Sequence, residues 1–152
     1  MRRANPKVGI IPYYVTEDAQ VLMAFMIPSD PTYGGERPQI AKGEIENGEA
    51  PLDAAIREGI EELGLRYDNM IFSTLRQAAS GQCEGQYANY PVRIYAVRVK
   101  DQNEFDAPHH ETKERVWMTY LDFVRDGREQ QEEIVSMAFT DIAISLRLPL
   151  PV

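Results

Sequence analysis

One cysteine, Cys83, stands among 152 residues. That excludes an internal disulfide and any zinc site built from several cysteines, and it suits a reducing compartment. Long apolar runs are missing as well. Nothing approaches the roughly 18 consecutive apolar residues of a membrane-spanning helix. Met1-Arg2-Arg3 leads into Ala4, Asn5, Pro6 and Lys7 rather than into an apolar export segment. The expected location is therefore the cytoplasm, with no membrane partner. Positive charge is scarce too: 16 Lys and Arg face 24 Asp and Glu, for a formal net charge of −8. Affinity for a nucleic-acid backbone comes mainly from Lys and Arg neutralising phosphates, so a long nucleic acid is not an expected partner. A small phosphorylated ligand stays compatible if cations sit between it and the acidic side chains. Repeats, low-complexity stretches and linkers are also lacking. With 43% hydrophobic residues, enough for a core, the expectation is a single domain over 1–152.

What is present divides into strands and helices. Val8 to Val15 and Gln20 to Ile27 are rich in β-branched, aromatic and aliphatic residues, and Glu17-Asp18 suits the turn between them, so they read as a hairpin. The Pro- and Gly-rich segment from Pro28 to Pro38 reads as a surface loop leading to a short strand at Gln39 to Ala41. Met70 to Ala78 and Val92 to Val99 are further strands, and Arg115 to Thr119 offers another. From about Glu129 to Leu146, residues Ile134, Met137, Ala138, Asp141, Ile142 and Ser145 fall near helical spacing, with Pro149 and Pro151 beyond as stops. Strands on either side of an internal helix, followed by a terminal helix, suggest a mixed sheet covered on both faces.

The internal helix carries the chemistry. Pro51 suits a first helical turn and Gly64-Leu65 a left-handed stop, which predicts a helix over about 51–63. At 100° per residue, Leu52, Ile56, Gly59, Ile60 and Leu63 share an arc of about 100°, and Glu58, Glu61 and Glu62 fall opposite. One face is expected to pack and the other to bind, with the small Ala54 and Ala55 leaving open space above the carboxylates. Carboxylates at i, i+3 and i+4 repel by roughly 0.2–0.5 kcal/mol per pair, a sign that a hard divalent cation reverses by taking oxygen ligands. Arg57 stands four residues before Glu61 and can reach back toward Glu49, orienting carboxylates and offsetting their charge. Gly43 and Gly48 bound a loop whose backbone can approach an ion closely, and Lys42 just before it is a candidate phosphate contact.

Gly43, Glu49, Arg57, Glu58, Glu61, Glu62 and Gly64 together match a fixed spacing whose chance occurrence is on the order of 10⁻⁸ per starting point. This segment, Gly43 to Leu65, resembles the Nudix box. One position departs from the pattern: Gly59 stands where the family usually carries an aliphatic residue, at a helix-interior cost of roughly 0.5–1 kcal/mol relative to alanine. The resemblance implies an α/β fold, the Nudix-type α/β/α sandwich with a mixed β-sheet between helices. It implies hydrolysis of a P–O–P linkage in a nucleoside diphosphate joined to another group, with Mg²⁺ or Mn²⁺. Glu58 and Glu62 are then implied ligands, Glu61 a ligand or the base, Gly43 a backbone ligand, and Glu49 with Arg57 the supporting pair. Many members also place a glutamate shortly before a late Trp-containing strand. Glu111, ahead of Arg115-Val116-Trp117-Met118, takes that catalytic role, with Glu114 as the fallback and His109 and His110 beside it as candidate phosphate contacts.

Substrate choice is less legible. Tyr33, Tyr87 and Tyr90 are candidates to stack on a base, and Arg37 or Arg76 to hold a distal phosphate. Gly81 stands where many ADP-ribose members carry Pro, Tyr87 comes late for the usual dinucleoside-polyphosphate tyrosine, and patterns associated with coenzyme A cleavage are absent upstream of the box. The expectation is a metal-dependent pyrophosphatase acting on a dinucleoside polyphosphate or an ADP-ribose type molecule. The alternative is a nucleotide-sensing module without turnover, with an isomerase on the same scaffold a distant third. Three clustered carboxylates favour the enzyme. The resemblance also admits a homodimer.

Overall fold

The computed structural model describes residues 5–84 and 89–149, with the side chains of 83 and 84 left aside. Its framework is a mixed sheet of six strands: β1 (Lys7–Val15), β2 (Val21–Pro28), β3 (Ala41–Glu44), β4 (Met70–Glu84), β5 (Asn89–Val99) and β6 (Thr112–Met118). The order is β4-β5-β1-β2-β6, with β3 attached to β1 beside that path. β1 runs parallel to β5 and antiparallel to its other partners. Helix α1 (Pro51–Leu63) covers one face against β1 and β3, and α3 (Glu132–Ser145) covers the other against β4 and β5. The short α2 (Tyr120–Asp126) packs beside α3.

The pleat of β1 separates two cores. Val8 and Ile10 point toward α1, where they meet Ala54, Ala55, Ile56 and Leu65. Ile11 and Tyr13 point toward α3, where they meet Ile134, Val135, Ala138 and Ile142. β1 also forks. Its first half, Lys7 to Ile10, pairs with β3, and its second half, Tyr13 to Val15, pairs with β2. Pro12 lies at the change of partner, between the residues paired with β3 and those paired with β2. The segment after the 29–38 loop crosses the fork: Gln39 bridges Met26 of β2, while Ala41 onward pairs with β1. β1 and β2 are thereby held apart.

Several expected boundaries shift. The short strand lies at Ala41–Glu44, because Gln39 makes only an isolated bridge. β4 continues to Glu84, carried past the polar residues Ser80 and Gln82 by its ladder with β5. The terminal helix begins at Glu132 after a 3₁₀ turn at Glu129–Gln131. Its buried face is Ile134, Val135, Ala138, Ile142 and Ala143, whereas Met137 is 45% exposed. α2 was not expected. Its signal is Thr119 with Asp122 three residues on, which form a reciprocal capping box.

Candidate active site

α1 starts at Pro51 without a side-chain cap and ends at Gly64, whose φ of 75° is the left-handed stop. A side chain at Gly64 would also strike the Asp106 carbonyl. Every carbonyl of the last turn has a donor. Leu65 and Gly64 N–H groups bond Gly59 and Ile60, and His109 N–H bonds Glu61 at 2.8 Å. Thr112 Oγ1 donates to the Glu62 carbonyl at 2.8 Å and Arg115 to that of Leu63 at 2.8 Å. The helix has no basic residue in its last turn, so Arg115, stacked 4.8 Å from the Phe105 ring centroid, supplies the cation that its negative end favours. Desolvation there lowers the Arg115 pKa. These bonds fasten the 106–112 loop, and with it Glu111, to the acidic helix.

The acidic face is more enclosed than a free binding face. Ala54 and Ala55 are fully buried in the core rather than beneath open space, and Leu52, expected to pack, is 36% exposed. Ala54 and Ala55 pack with Val8 and Ile10 of β1, and β3 lies along α1 beside Glu58. Gly43 of β3 comes so close that a Cβ there would fall 2.2 Å from Glu58 Oε1, which requires glycine at that point. Glu58 is itself buried at 9% exposure.

Arg57 organises the carboxylates. Its Nε and Nη2 donate to the two oxygens of Glu49 at 2.9 and 3.0 Å, Nη1 donates to Glu58 at 2.8 Å, and Glu61 lies 3.5 Å away. A further bond reaches the Glu44 carbonyl at 3.0 Å. The fork on Glu49 holds that carboxyl below the usual carboxylate range. Glu62 is different. Its Oε2 is buried without a hydrogen-bond partner. Desolvation first, then the neighbouring Glu58, pushes its pKa up to about 9, against which the nearby Lys42 acts.

As the side chains stand, no three His, Cys, Asp or Glu converge as a metal-ready group among the described residues. Arg57 engages Glu58 and Glu61 instead. The donor set nevertheless fits a hard divalent ion: all oxygen, with an orphaned buried carboxylate oxygen on Glu62 and a cradle at Gly43 that a Cβ would fill.

A cavity of about 1090 Å³ opens beside this cluster. Glu62, Lys42 and Glu111 line it together with Tyr33, Tyr90 and His110. The 29–38 loop forms one wall and is tied to the 109–111 segment by Ser29, whose N–H bonds the Glu111 carbonyl at 2.9 Å and whose Oγ donates to the His110 carbonyl at 2.7 Å. Gln39 holds the same loop through the Tyr33 carbonyl at 2.8 Å and accepts from Arg128 at 3.0 Å.

The predicted residues are thus partly brought together. Glu49, Arg57, Glu58 and Glu61 form one charged network, and Glu62 connects it to the cavity that holds Lys42, Tyr33, Tyr90 and Glu111. Glu114, the fallback for Glu111, lies within β6 opposite Ile27 and is absent from the cavity lining. Arg37 lines a neighbouring depression with Arg125 and Glu129. Arg76 is paired with Asp141 at 2.9 Å, outside the cavity. Tyr87 lies outside the described residues. Lys7, Gln39 and Arg128 belong to the cavity without having been singled out, since each sits alone in its sequence neighbourhood with no spacing to mark it.

A fold of this kind, with carboxylates on an internal helix facing a cleft, defines a class, and comparison with known proteins agrees. The family described as "NUDIX domain" matches residues 5–138. Nudix hydrolase 16, mitochondrial, of Arabidopsis thaliana is 31% identical over 131 residues, covering 79% of this chain and 71% of that protein. Among solved structures, a Caenorhabditis elegans Ap4A hydrolase binary complex superposes with a TM-score of 0.69 at 16% identity, covering 95% of this chain and 97% of the other. The NUDIX domain of Shewanella oneidensis NrtR, complexed with ADP ribose, gives 0.69 at 10% identity, with 93% and 90% covered. The chain belongs to the Nudix family, as a hydrolase of the nucleotide pyrophosphohydrolase type.

Proposed function

We propose that the protein cleaves a pyrophosphate linkage in a nucleoside diphosphate joined to a second group, of the dinucleoside polyphosphate or ADP-ribose type, with Mg²⁺ or Mn²⁺. The observation that carries the reading is the meeting of Glu62, Lys42 and Glu111, from α1, β3 and the loop before β6, on one cavity beside the Arg57 network. Glu58, Glu61 and Glu62, with the backbone at Gly43, would hold the ion. When bound, the ion supplies neutralisation of phosphate oxygens and a water of lowered pKa.

The chain's own groups do the rest. Arg57 and Glu49 set the carboxylates of Glu58 and Glu61. Lys42 offers its ammonium to a phosphate oxygen, and the Tyr33 ring, 74% exposed at the cavity wall, offers a stacking surface to a base. A carboxylate, Glu111 or Glu61, takes the proton of the attacking water. The new bond joins the water oxygen to phosphorus as the bridging P–O bond breaks, and the leaving phosphate departs with the electron pair of that bond. The lone cysteine agrees with a reducing compartment such as the cytoplasm. No helix among the described residues is long and apolar enough to cross a membrane. A homodimer is compatible with the reading.

The test is phosphate release over a panel of nucleotide derivatives with Mg²⁺ and with Mn²⁺, alongside Glu62→Gln. Metal-dependent turnover is expected for at least one derivative, falling roughly 10²–10⁴-fold in the folded variant. Tight nucleotide binding without turnover of any panel member would replace the enzyme with a sensor.

A further inference from the structure

Beside Glu62 and Glu111 the cavity is lined by two lysines, Lys7 and Lys42. Lys42 pairs with Gly9 across β1 and β3, and Lys7 is two residues before Gly9, so the two lysines share one face of the sheet as diagonal neighbours. Lys7 also pairs with Val92 of β5, which places Tyr90 on that face. The side chains converge: Lys7 Nζ lies 4.5 Å and Lys42 Nζ 5.9 Å from the centroid of the Tyr90 ring, which is 5% exposed. Lys42 acts on Glu62, while Lys7 makes no ion pair with any described residue. The order outward from the carboxylates is therefore Glu62, Lys42, Tyr90, Lys7.

Of the other charges of this cavity two are engaged with the protein, while the Glu111 carboxylate lines it as well. Arg128 donates to Gln39, and Asp30 accepts from the Thr32 N–H at 3.0 Å, which lowers its pKa. The space, about 1090 Å³, is slightly above the usual range for small-molecule sites, which is roughly 300–1,000 Å³.

We infer that Lys7, Lys42 and Tyr90 form a second phosphate subsite, and that the substrate carries a linear chain of three or more phosphates. This rests on the pyrophosphatase reading above and selects within it. A sugar attached to a diphosphate would present hydroxyls to Lys7 and leave its charge unanswered. A longer phosphate chain, running from the carboxylate cluster along Lys42 to Lys7, presents anionic oxygens to both.

The experiment compares the wild type with Lys7→Gln, which keeps most of the stem, and with Lys7→Arg, which keeps the charge. Two readouts are used: the ratio of kcat/KM for a dinucleoside tetraphosphate over ADP-ribose, and calorimetric binding of inorganic tripolyphosphate to the metal-free protein. Lys7→Gln is expected to lower the ratio and the tripolyphosphate affinity each by tenfold or more, the former through KM, with Lys7→Arg restoring both to within about threefold. An unchanged ratio, or unchanged tripolyphosphate binding, in a folded Lys7→Gln protein overturns the subsite. If the wild type hydrolyses neither nucleotide, the pyrophosphatase reading falls, and the tripolyphosphate arm alone then decides: tenfold weaker binding supports the subsite and equal binding overturns it.

Discussion

Gly59 interrupts the packing side of α1, and the structure gives a reason that can be measured. A Cβ on Gly59 would lie 2.8 Å from Ile10 Cγ2 and 3.0 Å from Leu65 Cδ2. Ile10 is 0% and Leu65 1% exposed, so neither can turn out to solvent. Cγ2 is attached directly to the Ile10 β-carbon, and it moves only if χ1 changes or β1 shifts. Gly59→Ala therefore sets two effects against each other. Helix propensity favours alanine by about 1 kcal/mol. Inserting a methyl into a filled core costs roughly 1–3 kcal/mol. The overlap with a branch atom on a buried strand puts the second effect ahead, so a net loss of about 1 kcal/mol is expected. Urea unfolding reads it as a lower midpoint at unchanged slope.

The cause is separable from the sign. Ile10→Leu moves the offending methyl off the β-carbon at nearly constant volume, and should by itself cost less than about 1.5 kcal/mol. If the overlap is what forbids a side chain at 59, the double variant recovers at least about 0.5 kcal/mol relative to the sum of the single changes. A Gly59→Ala protein more stable than the wild type, or strict additivity with Ile10→Leu, would refute the account. The aliphatic residue that the family usually has here is replaced, in effect, by Ile10 and Leu65 filling the same space.

Further outcomes follow from the charged groups. Because the folded pKa of Glu62 is raised from an ordinary 4.5 to about 9, its contribution to stability is complete below about pH 4.5 and is lost as pH rises through about 9. Metal-free protein should accordingly melt at falling temperature between pH 6 and 9, while a divalent ion, which must displace that proton, should bind up to about tenfold more tightly per pH unit in the same window. A Mg²⁺ affinity independent of pH would contradict this assignment. Arg57→Lys cannot reproduce the fork on Glu49 together with the bond to Glu58, and is expected to cost about 1–2 kcal/mol and to raise the Mg²⁺ concentration needed for half-maximal turnover. Wild-type stability and metal requirement in that variant would show the network to be incidental.

The helical half of the site was legible because its chemistry and its spacing coincide. Glu58, Glu61 and Glu62 must recur at one helical period to share a face, and Gly43 and Gly64 are required by close approach and by a left-handed dihedral, so each constraint leaves a residue type at a fixed position. The packing of the same helix was less legible. Periodicity assigned one buried arc and one free arc, whereas Ala54 and Ala55 are buried against β1 and Glu58 against Gly43 of β3. A strand pairing to β1 contributes no periodic signal to α1, and only the tertiary structure brings the two together.

The opposite wall of the cavity left still less trace, and its bonds explain why. Ser29 N–H to the Glu111 carbonyl, His109 N–H to the Glu61 carbonyl and Arg128 N–H to the Pro38 carbonyl are main-chain contacts that almost any residue could make. Beside the side-chain bonds of Ser29 and Gln39, they hold Glu111 and the 29–38 loop in place whatever the residue, so most positions that shape the cavity carry no motif. Side-chain identity matters again only where the wall meets a ligand or a buried polar group. There the residues come singly: Gln39 on β2's edge, Lys7 at the start of β1, Arg128 after α2. A candidate reaction centre held by one helix thus leaves a dense signature, while a candidate substrate pocket assembled from four separate segments leaves scattered residues that come together only once the chain has folded.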